Sequence, residues 1–196
     1  VAIEAWIQKD LLPDSIELRR ALKEMISASS NDATSLIVDL LTGTFSGPSL
    51  QGQRWQAWQK QRRVINAWLA SLKWPELERV NCCQKTWEDG PYGREHDFYK
   101  AGGGNRNALS TASVARILEA VMTESFLSPS ACKRIKMLLS RSLDVQHRRS
   151  DPENQRDGII GQGLPNGTRI WSKAGWMSQA RHDAAWYCCS KSNPML

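Results

Sequence analysis

Apolar residues recur along the first forty positions with the spacing of helices. Val1-Ala2-Ile3-Glu4-Ala5-Trp6-Ile7 opens the chain as an apolar helix. In the next stretch the apolar positions are 18, 21, 22, 25 and 26, behind an expected N-cap at Asp14 with Glu17 three residues later. Residues 33–41 are apolar enough for a buried helix, which Gly43 stops. The polar run Ser29-Ser30-Asn31 breaks the chain between these two helices. Loop composition over 42–52 leads into one amphipathic helix over 53–72, apolar at 55, 58, 65, 68, 69 and 72 and closed by Trp74-Pro75. Periodicity is then lost over 81–104, where glycines and charges dominate; so long an irregular segment is usually functional or mobile. Two helices follow, one over 112–122 capped by Ser110 or Thr111, the next opened by Ser128-Pro129 with Ile135, Leu138 and Leu139 inward. Residues 142–167 are a polar connection with His147-Arg148-Arg149 and a turn at Pro165-Asn166-Gly167. The period shortens last, in Ile170-Trp171-Ser172-Lys173-Ala174-Gly175-Trp176 and in 177–185, which reads as a neighbouring strand.

At 196 residues and 41% hydrophobic the chain can bury one sizeable core, so a single domain over 1–196 is expected. No apolar run approaches the about 20 residues of a membrane span, and no signal peptide opens the sequence. The net charge of +6 favours acidic partners, among them cell-wall polymers, nucleic acid and anionic small molecules. Tryptophans and cations share 53–72; they could bind nucleic acid by stacking and phosphate contact, but the favoured reading is a core-facing tryptophan stripe behind a solvated basic face. The five cysteines, Cys82, Cys83, Cys132, Cys188 and Cys189, lack the spacing of a zinc site. Free, partly buried thiols are expected, with a bridge between the two adjacent pairs left open.

Two stretches carry candidate chemistry. Lys173, at the end of an edge strand, can fix an anionic group, and Gly175, without a Cβ, lets a ligand lie against the backbone as an added strand. Ser29-Ser30-Asn31 holds hydroxyls and an amide at a helix break, although residues of these types also serve simply as caps. His182 and Asp183 are adjacent and on a strand point to opposite faces, so they form no relay pair.

In order, these stretches resemble the penicillin-recognising serine hydrolases, the superfamily of class A β-lactamases and DD-peptidases, which carry Ser-x-x-Lys, Ser-x-Asn and Lys-Thr-Gly. Ser29-Ser30-Asn31 is similar to the second motif; Lys173-Ala174-Gly175-Trp176, followed by His182-Asp183-Ala184-Ala185, is similar to the third and its partner strand. Arg106-Asn107-Ala108-Leu109-Ser110-Thr111 resembles the segment after the superfamily's Ω-loop. No Ser-x-x-Lys precedes Ser29, and the one at Ser130-Ala131-Cys132-Lys133 lies out of order on a basic amphipathic helix. The expectation is a partial domain beginning just after the catalytic lysine and stopping before another core strand and a terminal helix.

The resemblance implies an α+β fold, an antiparallel sheet packed against helices, and acyl transfer through a serine ester with no cofactor and no metal. Ser29, Lys173 and Glu88 would be catalytic, and Asn31, Ala174 and Gly175 would bind substrate. Glu88 stands where class A enzymes hold the glutamate that activates the deacylating water, Glu95 being its rival, but Tyr92 and Gly93 stand where an asparagine is wanted. Ala174 replaces the usual threonine and removes a hydroxyl for the substrate carboxylate, which costs roughly 1.5–3 kcal/mol. The implied substrate is a β-lactam, an ester or a cell-wall peptide, handled by an exported or periplasmic monomer without nucleic acid. The alternative is a non-catalytic module that holds cell-wall peptide or another ligand in the same groove.

Overall fold

The computed structural model describes residues 1–150, 158–165 and 167–188. Asn166 of the expected turn, Cys189 and residues 190–196 lie outside them, as does 151–157 of the polar connection. The chain divides into two compact units, Val1–Met25 with Ser30–Arg116 and Ile26–Ser29 with Ile117–Leu196.

In the first unit, α1 (Ala2–Gln8), α2 (Ile16–Ser27, all but its last residues here) and α3 (Asn31–Thr42) fall where the apolar periodicity puts them. Leu18, Ala21 and Leu22 of α2 face inward at i, i+3, i+4. The cap differs from expectation: the Leu18 amide donates to Ser15 Oγ at 3.1 Å, so Ser15 and not Asp14 starts the helix. Asp14 is drawn instead to Arg19, with Nε to Oδ1 2.5 Å. Ser30 caps α3, accepting from the Ala33 amide at 3.1 Å, and Gly43 ends it at φ +61°.

The single helix expected over 53–72 is two, α4 (Gly52–Arg62) and α5 (Val64–Ser71), broken at Arg63. Adjacent residues on one helix point about 100° apart, yet Arg62 lies over the Trp58 ring and Arg63 over the Phe98 ring, both at 4.8 Å, and those rings pack edge to face. Trp55 stacks on Trp58 with centroids 5.6 Å apart, and Trp6 meets Trp68 edge-on at 5.2 Å. The tryptophans thus pack inside the protein, as a core stripe does. A second departure is α6 (Gly93–Lys100), inside the stretch read as irregular. Only Glu95 and Phe98 of that helix are buried, too few apolar positions for periodicity to reveal it.

Gly93 sits at φ +49° with the Gly47 carbonyl against it; a Cβ there would lie 2.1 Å from that oxygen. Gly93→Ala is expected to lower stability by about 2–3 kcal/mol through strain and clash together, read as a lower urea midpoint at unchanged m-value.

Four of the buried charges in this unit form one network. Arg62 donates to Asp39 (3.1 Å) and to Glu95, and Lys85 donates to Asp39 (2.5 Å) and Ser46 (2.8 Å), while Ser46 donates to Glu95 (3.0 Å). Two cations balance two carboxylates, which is how such groups tolerate burial. α7 (Thr111–Met122), whose first half belongs here, opens on a reciprocal pair: Ser113 N donates to Ser110 Oγ and Ser110 N to Ser113 Oγ, each at 3.0 Å.

The second unit holds the rest of α7, α8 (Pro129–Leu139, capped by Ser128), β1 (Ser140–Arg141), α9 (Val145–Ser150), β2 (Arg169–Met177) and β3 (Ala180–Cys188). The strands form an antiparallel sheet in the order β1-β2-β3, so the chain is α+β, helices with an antiparallel sheet, as expected. α8 packs on β2. Ile170, Ser172 and Ala174 alternate inward along β2. The polar connection carries α9 and a 3₁₀ turn at Ile160–Gly163. Cys82, Cys83, Cys132 and Cys188 are free thiols.

Candidate active site

β1 pairs with β2 only at Ile170 and Trp171. Among the described residues, β2 from Ser172 to Met177 is paired on one side alone, by β3 in the register Lys173 to Ala184, Ala174 to Asp183 and Gly175 to His182. This open edge carries three of the residues singled out from sequence. The half-buried Lys173 side chain curls back over it and donates to the Ala174 carbonyl at 2.5 Å. Ala174 is 3% exposed, so what it offers a ligand is backbone. A Cβ built on Gly175 meets no protein atom within 4 Å, and the space it leaves is open.

Ser29 lies in the same unit, just past the last turn of α2. Lys173 Nζ donates to its Oγ across 144 positions of sequence. Ser29 is exposed and has φ +57°, a conformation that costs a serine of order 1–3 kcal/mol and that gathers at functional sites. Burial draws the Lys173 ammonium down to about 8; the neighbouring Arg141 cation lowers it further and Asp183 opposes. Lys173 therefore stays mostly charged at neutral pH, able to hold a carboxylate and the Ser29 oxygen together.

Asn31 and Glu88 belong to the first unit. Asn31 opens α3, and its carbonyl accepts from Thr86 Oγ1 at 3.0 Å, while Ser35 Oγ donates to the Thr86 carbonyl at 2.9 Å. These two bonds strap the loop to the start of α3. Glu88, two residues on, is exposed. Glu95, its rival, is fully buried against Arg62 and Ser46, a structural place rather than a base open to water. Ser130 of the out-of-order Ser-x-x-Lys has its hydroxyl 3.2 Å from that of Ser128, at the start of α8, and Lys133 is exposed.

Residues 5–189 match the model of the Beta-lactamase enzyme family. The chain belongs to that family. No curated protein and no solved structure matches it. Membership in the Beta-lactamase enzyme family points to a serine-hydrolase-like function on a small-molecule substrate. Among the described residues no group of three or more His, Cys, Asp or Glu could hold a metal ion, and no helix is long and apolar enough to cross a membrane.

Two residues beside this candidate site were missed in sequence. Arg141 lies in β1, just past the end of α8, with nothing in its neighbours to mark it. Asp183 was given no role of its own beyond its place on the partner strand; its Oδ2 accepts from the Ile160 amide at 3.2 Å, and burial raises its carboxyl above the usual range. Cross-strand register put it opposite Ala174, beside Lys173 in chain order.

Proposed function

We propose that this protein is a class A-like serine hydrolase that passes an amide or ester through an acyl-enzyme, with a β-lactam or related substrate. The observation that carries this is the bond from Lys173 to Ser29 Oγ beside the open edge of β2. A lysine ammonium at that place attracts a substrate carboxylate and fixes the serine oxygen. With Lys173 donating to its oxygen, the Ser29 hydroxyl passes a proton to the leaving nitrogen, since a hydroxyl accepts on one side and donates on the other. The β2 backbone past Lys173 supplies an N–H to the developing oxyanion, a contribution of roughly 3 kcal/mol. Asn31 holds the substrate amide, and Glu88 activates the water that cleaves the acyl ester. The acylating serine is that of a Ser-x-x-Lys placed before Ser29 in the order of the motifs, deprotonated with help from its lysine.

The absence of a hydroxyl at Ala174 favours a second reading, a module that binds cell-wall peptide or another ligand without turnover. A fluorescent penicillin separates the two. The full-length gene product, run on a denaturing gel after incubation, is expected to carry a covalent label that decays with time. In Glu88→Gln the label should form at the normal rate and persist. Absence of any covalent label sinks the acyl-transfer reading and leaves the binding module; a label that decays normally in Glu88→Gln removes Glu88 from the mechanism.

A further inference from the structure

The last carbonyls of a helix have no partner within it, and cations near a helix C-terminus satisfy them. In the second unit one guanidinium serves two helix ends. Arg141 Nη1 donates to the Leu138 carbonyl at 3.2 Å, in the last turn of α8, and Nη2 donates to the Ile26 carbonyl at 2.9 Å, in the last turn of α2. The Arg141 backbone is itself fixed, because β1 pairs it with Ile170 of β2. The stretch Ile26–Ser29 is thus bonded into this unit at its first residue by Arg141 and at its last by Lys173.

Between those two bonds the chain turns through the left-handed conformation of Ser29, φ +57°. A serine does not hold that conformation unaided. We propose that Arg141 is a positioning residue for the Ser29–Lys173 pair, its guanidinium pinning the Ile26 carbonyl so that the strained turn presents Ser29 Oγ to Lys173. The planar fork suits this task, since its separate N–H groups reach carbonyls on two different helices, where a lysine is a single point charge. The inference rests on the proposed hydrolase for its use in catalysis and on geometry alone for the placement of Ser29.

Arg141 also acts on Lys173 through its charge. Arg181, His182, Asp183, Tyr187 and Cys188 on β3 and Cys132, Lys133, Arg134 and Lys136 on α8 are the other titratable or charged groups of the elements packed on β2. Of these, Asp183 acts on where Lys173 titrates, in the direction opposite to Arg141. Removing the Arg141 charge therefore moves Lys173 upward.

The test compares Arg141→Met and Arg141→Lys in the full-length protein. Amide hydrogen exchange is measured at 28–30, and the Lys173 titration is followed by ¹³Cε NMR, with its resonance assigned by its loss in Lys173→Arg. In Arg141→Met, exchange at 28–30 is expected to quicken about tenfold or more while the β2–β3 ladder stays protected, and the Lys173 midpoint to rise by roughly 0.5 of a pH unit or more. Arg141→Lys keeps the charge, so its Lys173 midpoint stays near about 8 while exchange remains fast. Unchanged exchange at 28–30 in Arg141→Met overturns the proposal, whatever the lysine does. If Arg141→Met does not fold, Arg141→Lys decides: wild-type exchange there overturns it equally. Neither readout requires turnover, so the hydrolase assignment can fail without deciding this one.

Discussion

Lys173→Ala is expected to lower kcat/KM by roughly 100- to 1,000-fold, measured by steady-state hydrolysis with the full-length protein. In the proposed mechanism the substitution removes a charge-assisted bond to the substrate carboxylate and another to Ser29 Oγ, each worth about 1.5–3 kcal/mol, and about 1.4 kcal/mol is a factor of ten. The pH profile gives a sharper check. Lys173 titrates at about 8, so KM for an anionic substrate should rise as pH climbs through that value, whereas Lys173→Arg, charged throughout, should move this limb well above it. A flat KM from neutral pH to about 10 would remove Lys173 from substrate binding. Stability changes in the other direction. The folded value lies below the about 10.4 of a free lysine, so the unfolded chain binds more protons between the two, and stability rises with pH across that window. Below about 8 the folded protein carries a partly buried ammonium at a cost to stability.

Arg62→Met should destabilise the first unit by about 3–5 kcal/mol, because breaking a buried ion pair leaves its partner charged and unmatched. Arg62 is fully buried; its loss leaves Asp39 and Glu95 with Lys85 alone and takes a cation from the Trp58 ring. Urea unfolding measures the effect. Burial already holds the Glu95 carboxyl above its usual value, with the Arg62 cation the first of the groups opposing this. Without Arg62 it rises further. The folded state then binds more protons than the unfolded one between the two values, so stability falls as pH rises through that window. The loss is therefore expected to be larger at neutral pH than at about pH 5, and Arg62→Met/Glu95→Gln should recover part of it. A single variant within about 0.5 kcal/mol of wild type would mean that the four charges do not act as a unit.

The proposed chemistry divides along the same lines. Ser29 and Lys173 were legible because motif order and residue type carried them, and the structure joins them by a hydrogen bond. For Ala174 and Gly175 the sequence showed the residues but not their use: the side chain of one is turned inward, and the space beside the other is open. Arg141 had no sequence signal and Asp183 only its place on the partner strand, since each acts through a partner distant along the chain: Arg141 at Ile26, Asp183 at Ile160.

The sequence by itself determined the elements whose signal is local. α3 with its Gly43 stop, α8 behind Ser128-Pro129, and the β2–β3 hairpin each follow from periodicity and capping chemistry close by in the chain. Tertiary structure decided what depends on distant partners. The break at Arg63 answers to the aromatic rings of Trp58 and Phe98, and α6 exists because two of its residues, Glu95 and Phe98, find a buried charge network and an aromatic cluster. The left-handed turn at Ser29 is bonded to a lysine 144 positions away. Periodicity reports which face of an element is apolar; it carries no information about which distant side chain will meet a given charge, and in this protein those meetings set the candidate site.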